Sequence, residues 1–263
     1  MTTDNQDNID FNKLPDRLNL GCGFDKKTGY VNVDFSVMHH PDIVADVLKL
    51  GFLPKNHYSE IIAQDILEHL PRTSTTRALL HWASLLKKDG ILTIRVPDIL
   101  GVAQMLSDPK NQSIERQEVI IQNLFGTQAY TGDFHYTSFT EVTIRHYLEQ
   151  CGFSIVEFKK LDGWLFEISA AKKRDVNPRD IDDFSDLLSG ELNHRDFIGS
   201  CYKEILGRNV DDEGLNFYLG EMNAGRISRE QLISMLVKSE ERQQKRSVFT
   251  KYLQMASKKL GGK

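Results

Sequence analysis

Residues 18–34, LNLGCGFDKKTGYVNVD, contain two short apolar runs joined by a connection that is too short to hold a helix. Gly21 and Gly23 follow the first run, and Asp34 ends the second. Parallel strands usually need a crossover of about a dozen residues, most often a helix. The residues from 21 to 29 nevertheless span about 30 Å when extended, and the return along a strand of about five residues needs only ~17 Å. The sequence therefore predicts two parallel strands joined by an irregular loop.

This connection argues against a dinucleotide site. Such a site favours G-x-G-x-x-G with an acid about 20 residues later, and it holds the pyrophosphate at a helix N-terminus. Here Lys26 occupies the third glycine position, and Asp34 follows Gly23 by only eleven residues. A phosphate-free ligand such as S-adenosylmethionine fits this restriction. The glycines would allow the backbone to approach it closely, and Asp34 would accept hydrogen bonds from its ribose, unless this acid is only a turn residue at the strand end.

Strand-like and helix-like patterns alternate from residue 16 to about residue 171. An apolar stripe from Leu79 to Leu86 predicts a helix that stops near Gly90. A later helix is predicted to begin at the cap residue Thr140 and to end at Gly152. The strand-like runs are RLNL, YVNVD, DIVAD, SEIIAQ, GILTIRVP, SIVEFKK and WLFEISAA. This order predicts an α/β fold with a mostly parallel sheet and an antiparallel edge hairpin.

The composition is ordinary for a soluble protein, with 263 residues, 40% hydrophobic content and a formal net charge of -4. This length suffices for one core and a smaller second domain. The acidic N-terminus does not read as a signal or transit peptide, and no apolar run approaches the ~18 residues of a membrane-spanning helix. Three scattered cysteines indicate reduced thiols. We therefore expect a cytoplasmic protein with no transmembrane segment and no nucleic-acid partner.

The pattern changes near residue 175. Residues 175–192 are rich in acids and include Pro178, which is typical of a solvated linker. Only helical patterns follow, with Asp211 and Ser228 as predicted N-caps. The predicted divisions are a disordered or loosely packed lead-in at 1–15, an α/β domain at 16–174, an acidic linker at 175–192 and a small all-α domain at 193–263.

Several segments, in order, resemble one family, the seven-stranded, Rossmann-like S-adenosylmethionine-dependent methyltransferases. The matching segments are LNLGCG, NVD, DIVADVLKLGFLP, AQDILEHLP, LLKKDGILTIRVPD and LFGTQAYTGDFHYTSFTEVTIRHYLEQCGF. The resemblance covers roughly residues 16–171 and is closest to the small bacterial branch found among polysaccharide and O-antigen genes. It implies seven strands, S-adenosylmethionine as the cofactor, and O-methylation of a small-molecule or glycan acceptor in polysaccharide biosynthesis.

The resemblance also implies which residues hold the cofactor. Gly21, Cys22 and Gly23 would form the cofactor loop, with Asp34 at the ribose. Asn19 would lie near the amino-acid tail, where many relatives have an acid instead.

Further roles follow from the ends of the third and fourth predicted strands. By the same resemblance, Asp46 would accept a hydrogen bond from the adenine amino group beside the Val47 backbone, although Asp46 can equally be a cap of the next turn. Gln64 and Asp65 would line the sulfonium and the entrance for the substrate.

Methyl transfer to a hydroxyl needs alignment of the reacting atoms and a base for the hydroxyl proton. His135 is the first candidate for this base, and a histidine that only orders its own loop is the alternative. Asp65 and His69 are further candidates, although the LEH run at 67–69 also reads as a solvated helical turn. The sequence shows no H-E-x-x-H motif or close pairing of cysteine with histidine, so we predict no metal site.

The helical C-terminal region, from FIGSCYKEILGR to SEERQQ, resembles a bacterial domain of unknown function found on cell-surface and glycan-related proteins. We interpret it as an interaction or substrate-presenting module that can dock onto glycan-assembly proteins. The basic stretch from Lys238 is a solvated helix face or a contact for an acidic glycan or a membrane surface. A non-catalytic scaffold with the methyltransferase fold is the alternative function, because Asn19 and Asp25 depart from the common motif.

Overall fold

The computed structural model describes residues 11–130, 132–181 and 183–244. They form two compact units that divide between Asn177 and Pro178. The predicted lead-in at 1–15 and the predicted basic stretch from Lys238 lie partly outside the described residues, at 1–10 and 245–263.

The first unit contains one seven-stranded sheet. Its strands are β1 (Arg17–Leu20), β2 (Val31–Asp34), β3 (Ile43–Val44), β4 (Tyr58–Gln64), β5 (Leu86–Pro97), β6 (Phe153–Leu161) and β7 (Leu165–Lys172). The strand order is β3-β2-β1-β4-β5-β7-β6. Strands β1 to β5 pair in parallel, and β7 runs antiparallel to both β5 and β6. The predicted fold class, a Rossmann-like and mostly parallel sheet with an antiparallel edge hairpin, is confirmed.

No helix joins β1 to β2, as the length of the connection predicted. Residues 21–30 are all described, and they form only turns and irregular backbone. The next two connections also lack an α-helix, with one 3₁₀ turn at Val37–His39 between β2 and β3. The carboxyl ends of β1 and β2 are therefore bordered by loops.

Four helices follow β4 and β5 in the first unit, α1 (Thr75–Leu85), α2 (Ile99–Ser107), α3 (Ile114–Phe125) and α4 (Glu141–Gln150). Thr140 caps α4 and exchanges hydrogen bonds with Thr143, as the sequence predicted for the start of this helix. The predicted end of α1 near Gly90 is wrong. The helix ends at Leu85, because Leu86 pairs with Tyr58 of β4 and begins β5.

The two faces of the sheet differ in polarity. On β5, Leu92, Ile94 and Val96 are buried in the core, whereas the alternate positions are half-buried. The half-buried face carries cross-strand polar pairs, such as Thr93 Oγ1 and Ser169 Oγ at 3.1 Å. Because side chains alternate along a strand, one face builds the core and the other presents polar groups.

The second unit is helical in its described part. It contains α5 (His194–Cys201), which continues into a π-helical turn at Tyr202–Leu206, then α6 (Asp212–Asn223) and α7 (Arg229–Val237). Asp211 caps α6, and Ser228 forms a capping box with Gln231 on α7, as the sequence predicted. Within the described ranges, no helix of either unit is long and apolar enough to cross a bilayer.

The predicted linker at 175–192 contains more structure than a solvated connection would. Two 3₁₀ turns occupy Pro178–Ile181 and Ser185–Ser189. Between them, Phe184 is only 1% exposed and packs in the core of the second unit. The many acids of this segment concealed its buried Phe184 from a reading of the sequence pattern. From Pro178 onward, the segment belongs to the helical unit.

Candidate functional site

A cavity of about 700 Å³ lies at the carboxyl ends of β1, β2 and β4. Ligands of open α/β sheets bind at this edge. All eight residues that the sequence assigned to the cofactor line the cavity: Asn19, Gly21, Cys22, Gly23, Asp34, Asp46, Val47 and Gln64. Of the three candidate bases, Asp65 and His69 line it as well, and His135 does not.

The glycine turn after β1 takes a backbone conformation that favours glycine. Gly21 has φ +61° and Gly23 has φ +48°. A Cβ on Gly21 would lie 1.8 Å from Ile66 Cδ1, so this glycine also makes room for the segment after β4. The turn brings main chain to the cavity wall where a side chain would intrude.

Asp34 connects the glycine turn to the end of β2. Its Oδ2 accepts a hydrogen bond from Gly23 N at 2.9 Å, and its Oδ1 accepts one from Ser36 N at 2.8 Å. His39 Nδ1 lies 3.0 Å from Oδ1 but is not aligned for a hydrogen bond. The residue is 3% exposed, and it still borders the cavity. Asp34 therefore organises the loop, which corresponds to the turn role considered from sequence.

A ladder of polar side chains holds the connection between β1 and β2 in place of a helix. Asn19 Nδ2 donates to Asp25 O at 2.9 Å and to Asn32 Oδ1 at 3.0 Å. Asn32 Oδ1 also accepts from Lys27 N at 2.8 Å, and Asn32 Nδ2 donates to Asp42 Oδ2 at 2.8 Å. Asn19 and Asn32 are both buried. Asn19 is thus committed to the loop as a donor, a role that its amide can fill and a carboxylate cannot.

Cys22 lies within the same turn. Its thiol is buried, and burial together with the charge of Asp34 raises the pKa of Cys22 to about 11. A thiol with this pKa is neutral at physiological pH and is a poor nucleophile. Small size is the property that the turn requires of this residue.

Asp46 and Val47 border another part of the cavity, after β3. Asp46 Oδ1 accepts a hydrogen bond from Leu48 N at 2.9 Å, so Asp46 caps the turn that follows it. Its side chain is nevertheless exposed. Val47 is buried, and its carbonyl accepts a hydrogen bond from Trp82 Nε1 at 3.1 Å. The turn is therefore anchored to helix α1.

Arg95 is a cavity residue that the sequence analysis missed. It lies near the end of β5 and binds Asp65 with two of its nitrogens, with Nε at 2.8 Å from Oδ1. This hydrogen-bonded carboxylate raises the pKa of Arg95. Gln64 Nε2 donates to Glu167 Oε2 of β7 at 3.3 Å. The available signal was a charged residue in the mostly apolar run GILTIRVP, close to the strand's carboxyl end.

The ion pair changes how Asp65 must be interpreted. The backbone of Asp65 is left-handed, with φ +53°, and its amide donates to Arg95 O at 3.0 Å. A carboxylate bound by two nitrogens of a guanidinium is held in one orientation, with both of its oxygens engaged. Asp65 is therefore a poorer candidate for a general base than its position in the sequence implied.

His69 and His135 lie next to each other, although 66 positions separate them in the sequence. Their ring centroids are 4.7 Å apart in an edge-to-face arrangement. His69 Nδ1 lies 3.2 Å from Phe134 O, so Nδ1–H can donate to this carbonyl and leave Nε2 as an acceptor. Burial and the neighbouring His69 lower the pKa of His135.

Glu68 was interpreted from sequence as solvated with His69, and for Glu68 this is wrong. The 3₁₀ turn at Leu67–His69 directs Glu68 inward, where it is 2% exposed. Burial raises the pKa of Glu68 to about 8. Sequence patterns gave no signal of this, because the turn is too short to show periodicity.

Aromatic side chains form the rim of the cavity, and the sequence analysis did not identify them. Phe24 is 84% exposed and packs edge-to-face on His39 at 4.6 Å. Phe35 and Tyr130 are also exposed. A Cβ on Gly132 would lie 2.7 Å from Phe35 Cζ, which shows how closely the loop before α4 approaches the end of β2. Exposed apolar groups at the mouth of a cavity commonly mark a ligand-binding groove.

Comparisons with known proteins add a family match for the second unit. A family described as "Domain of unknown function (DUF4214)" matches residues 180–246. A search of curated proteins found no match to the sequence.

Several solved structures are similar to part of this chain at low sequence identity. A possible exported protein from Bordetella parapertussis is 16% identical, with a TM-score of 0.45, over 61% of this chain and 63% of that chain, a little under two thirds of its length. The 1,6-didemethyltoxoflavin-N1-methyltransferase of Burkholderia thailandensis, solved with S-adenosylhomocysteine, is 15% identical, with a TM-score of 0.41, over 60% and 71%. An S-adenosylmethionine-dependent methyltransferase from Methanosarcina mazei is 18% identical, with a TM-score of 0.42, over 60% and 92%.

Proposed function

We propose that the chain is an S-adenosylmethionine-dependent methyltransferase. One observation carries the proposal. All eight residues that the sequence assigned to the cofactor line a single cavity, next to a glycine turn that no helix follows. A ligand bound there lacks the helix N-terminus that a pyrophosphate favours. Adenosine attached to an amino acid through a sulfonium needs no such helix.

The cofactor's ribose is assigned to Asp34. A carboxylate has about four lone-pair sites, and two of them are occupied by the Gly23 and Ser36 amides. The remaining sites can accept from ribose hydroxyls, so Asp34 would shape the turn and bind the ligand at once. The backbone of Gly21 and Gly23 would lie against the amino-acid tail, as the glycine turn allows.

The adenine is assigned to the turn after β3 and to the rim. Asp46 offers an exposed carboxylate to the exocyclic amino group, beside the buried Val47. Phe35 and Tyr130 offer aromatic surface on which a base can pack. Gln64 and the Asp65–Arg95 pair would then border the sulfonium and the acceptor.

The reaction is an in-line displacement. When bound, S-adenosylmethionine would supply a methyl group to the acceptor oxygen, with its sulfur as the leaving group in the neutral thioether S-adenosylhomocysteine. The protein's main contribution is to align the oxygen at about 3 Å from the methyl group. The hydroxyl proton needs an acceptor, for which His135, Asp65 and His69 were the predicted candidates. We favour His69, because it lines the cavity with Nε2 available, whereas Asp65 binds Arg95 and His135 lies behind the wall.

The proposed acceptor is a hydroxyl of a sugar or glycan-related molecule, in bacterial polysaccharide synthesis in the cytoplasm. The aromatic rim supports this class, since flat apolar side chains can cover one face of a sugar ring while polar groups bind its hydroxyls. In this proposal the helical second unit docks onto glycan-assembly proteins.

The test is methyl transfer from methyl-labelled S-adenosylmethionine to a panel of sugars, nucleotide sugars and oligosaccharides, followed by mass spectrometry. We expect a product heavier by one methyl group, formed in equal amount with S-adenosylhomocysteine. Cofactor binding with no transfer to any acceptor of the panel would instead favour the non-catalytic scaffold. Failure to bind the cofactor would reject the methyltransferase proposal.

A further inference from the structure

Three side chains meet at the wall of the cavity, which one of them also lines. Glu68 and His69 lie on the 3₁₀ turn after β4, and His135 lies on the loop before α4. Each of the three offers one ligand atom, and these atoms all lie within 4.8 Å of one another. We call this set the EHH cluster.

Backbone hydrogen bonds fix the two halves of the EHH cluster. Tyr136 N and Thr137 N both donate to Glu68 O, at 2.8 and 3.3 Å, and His135 N donates to Phe125 O at 3.1 Å. A Cβ on Gly126 would lie 2.1 Å from Asp133 O, so only glycine allows the loop to return this closely to the end of α3. The side chains are therefore brought together by main-chain contacts, which do not depend on the side chains themselves.

Two atoms of the EHH cluster are buried without a partner. Glu68 Oε2 and His135 Nδ1 have no hydrogen bond to any described residue. A buried polar atom without a partner costs roughly 1–3 kcal/mol, and native structures contain few of them. Among the described residues, no basic side chain bonds to Glu68 Oε2. A cation bound by both Glu68 Oε2 and His135 Nδ1 would provide each of these buried atoms with a partner.

We propose that Glu68, His69 and His135 bind a divalent transition-metal ion of the zinc type. Imidazole nitrogen suits Zn²⁺ and its neighbours in the first transition row, whereas Mg²⁺ and Ca²⁺ prefer oxygen ligands alone. Two histidines and one glutamate form a known zinc ligand set that leaves a further position open.

The dimensions fit such an ion. Three atoms at most 4.8 Å from one another have a common centre within about 2.8 Å of each, and Zn–N and Zn–O bonds are about 2.0–2.2 Å. Small rotations of the side chains close this difference. His69 already lies with Nδ1 3.2 Å from Phe134 O. A metal-binding histidine usually donates its other ring N–H to a carbonyl or carboxylate in this way, which fixes the ring and its tautomer.

The ion would lie at the cavity wall, because His69 also lines the cavity. With metal bound, His69 Nε2 would serve as a ligand and no longer as the proton acceptor, and the open position would face a hydroxyl or water. The inference does not rest on the proposed function, since metal binding needs no cofactor. This proposal departs from the sequence-based prediction of no metal site, because residues 68, 69 and 135 meet only in the fold.

The experiment is an equilibrium dialysis of the untagged full chain against Zn²⁺, after removal of metal with a chelator. We expect one equivalent of Zn²⁺ per chain by elemental analysis. Glu68→Gln and His135→Ala should each weaken binding at least ~10-fold, since even the loss of a residue that only orients a ligand costs ~10–100-fold. His146→Ala, which removes an exposed histidine of α4, is the matched control and should keep full binding.

Thermal unfolding gives a second readout that separates misfolding from lost binding. Zn²⁺ should raise the melting temperature of the wild type and of His146→Ala, because a ligand that binds only the folded state stabilises it. It should leave the melting temperature of the folded Glu68→Gln variant unchanged. Mg²⁺ should stabilise none of them. The proposal is overturned if the wild type binds no Zn²⁺, or if Glu68→Gln binds and responds like the wild type.

Discussion

At the scale of single residues, Asp34 combines two roles that the sequence presented as alternatives. The spacing from Gly23 favoured a ribose contact, and the position at a strand end was equally typical of a turn residue. In the structure, Asp34 is a turn residue by its hydrogen bonds and a cavity residue by its place. Sequence spacing predicted where this carboxylate lies. It did not predict that the carboxylate holds the amide of the glycine turn, because that depends on the side-chain rotamer.

Replacement of Asp34 tests the combined role. Asp34→Ala should weaken S-adenosylhomocysteine binding at least ~10-fold, because it removes the ribose acceptor and frees the Gly23 amide. It should also lower the free energy of unfolding by about 1–3 kcal/mol, since two amides lose their acceptor. Calorimetry and urea unfolding measure the two effects.

Asp89→Ala is the control for this change. Asp89 is an exposed acid in the first part of β5, at the end of the strand away from the cavity. Its Oδ1 lies 2.7 Å from Lys173 Nζ. A surface ion pair of this kind contributes about 0–1 kcal/mol, so affinity should be unchanged. Equal affinities for Asp34→Ala and the wild type would show that Asp34 is a turn residue only.

At the scale of elements, chain length predicted the connection between β1 and β2, and side chains explain its stability. The short span allowed a loop without a helix, and the structure agrees. The Asn19–Asn32 ladder that supports the loop could not be predicted, because asparagine in a strand carries no specific pattern. The predicted end of α1 was wrong for a related reason. Its apolar stripe continues into Leu86, and only pairing with β4 assigns that residue to a strand.

The Asn32→Ala variant tests the ladder. Asn32 bonds to the Lys27 amide, the Asn19 side chain and Asp42. Its loss should lower the free energy of unfolding by about 1–3 kcal/mol, because buried donors and acceptors lose their partners. S-adenosylhomocysteine affinity should fall with it, as the loop loses its support.

The comparison is with Ser154→Ala, which changes an exposed polar residue on the edge strand β6. Substitutions at such surface positions usually stay within ~0.5 kcal/mol. Urea unfolding of Asn32→Ala and Ser154→Ala measures the difference between their free energies of unfolding. If Asn32→Ala is as stable as Ser154→Ala and binds the ligand normally, the ladder does not support the loop.

At the scale of the whole molecule, the chain contains two hydrophobic cores, and the cavity belongs to the unit built on the first. Every residue that lines the cavity belongs to the first unit. The second unit has its own core, in which Phe184, Phe197 and Leu232 are among the buried residues. The sequence predicted both regions from the change of pattern near residue 175. It misjudged where the second begins, because a single buried phenylalanine among acids leaves no periodic signal.

Because the two cores are separate, we expect a substitution in the second core to change stability without changing ligand affinity. Phe184→Ala should lower the stability of the helical unit by about 3–5 kcal/mol, the usual cost of removing a buried phenylalanine. It should leave S-adenosylhomocysteine affinity unchanged. Phe217→Ala, at a 56% exposed position on α6, is the matched control and should cost under ~1 kcal/mol. Circular dichroism during unfolding and calorimetry check both statements, and a loss of affinity in Phe184→Ala would contradict them.

We propose that the helix-free glycine turn and Asp34 hold a phosphate-free adenosine ligand. The decisive measurement is a calorimetric titration of the full chain with S-adenosylhomocysteine, with NAD as the paired ligand. We expect saturable binding of one S-adenosylhomocysteine per chain and no heat from NAD beyond dilution. Binding of NAD, or the absence of any S-adenosylhomocysteine binding, would contradict it.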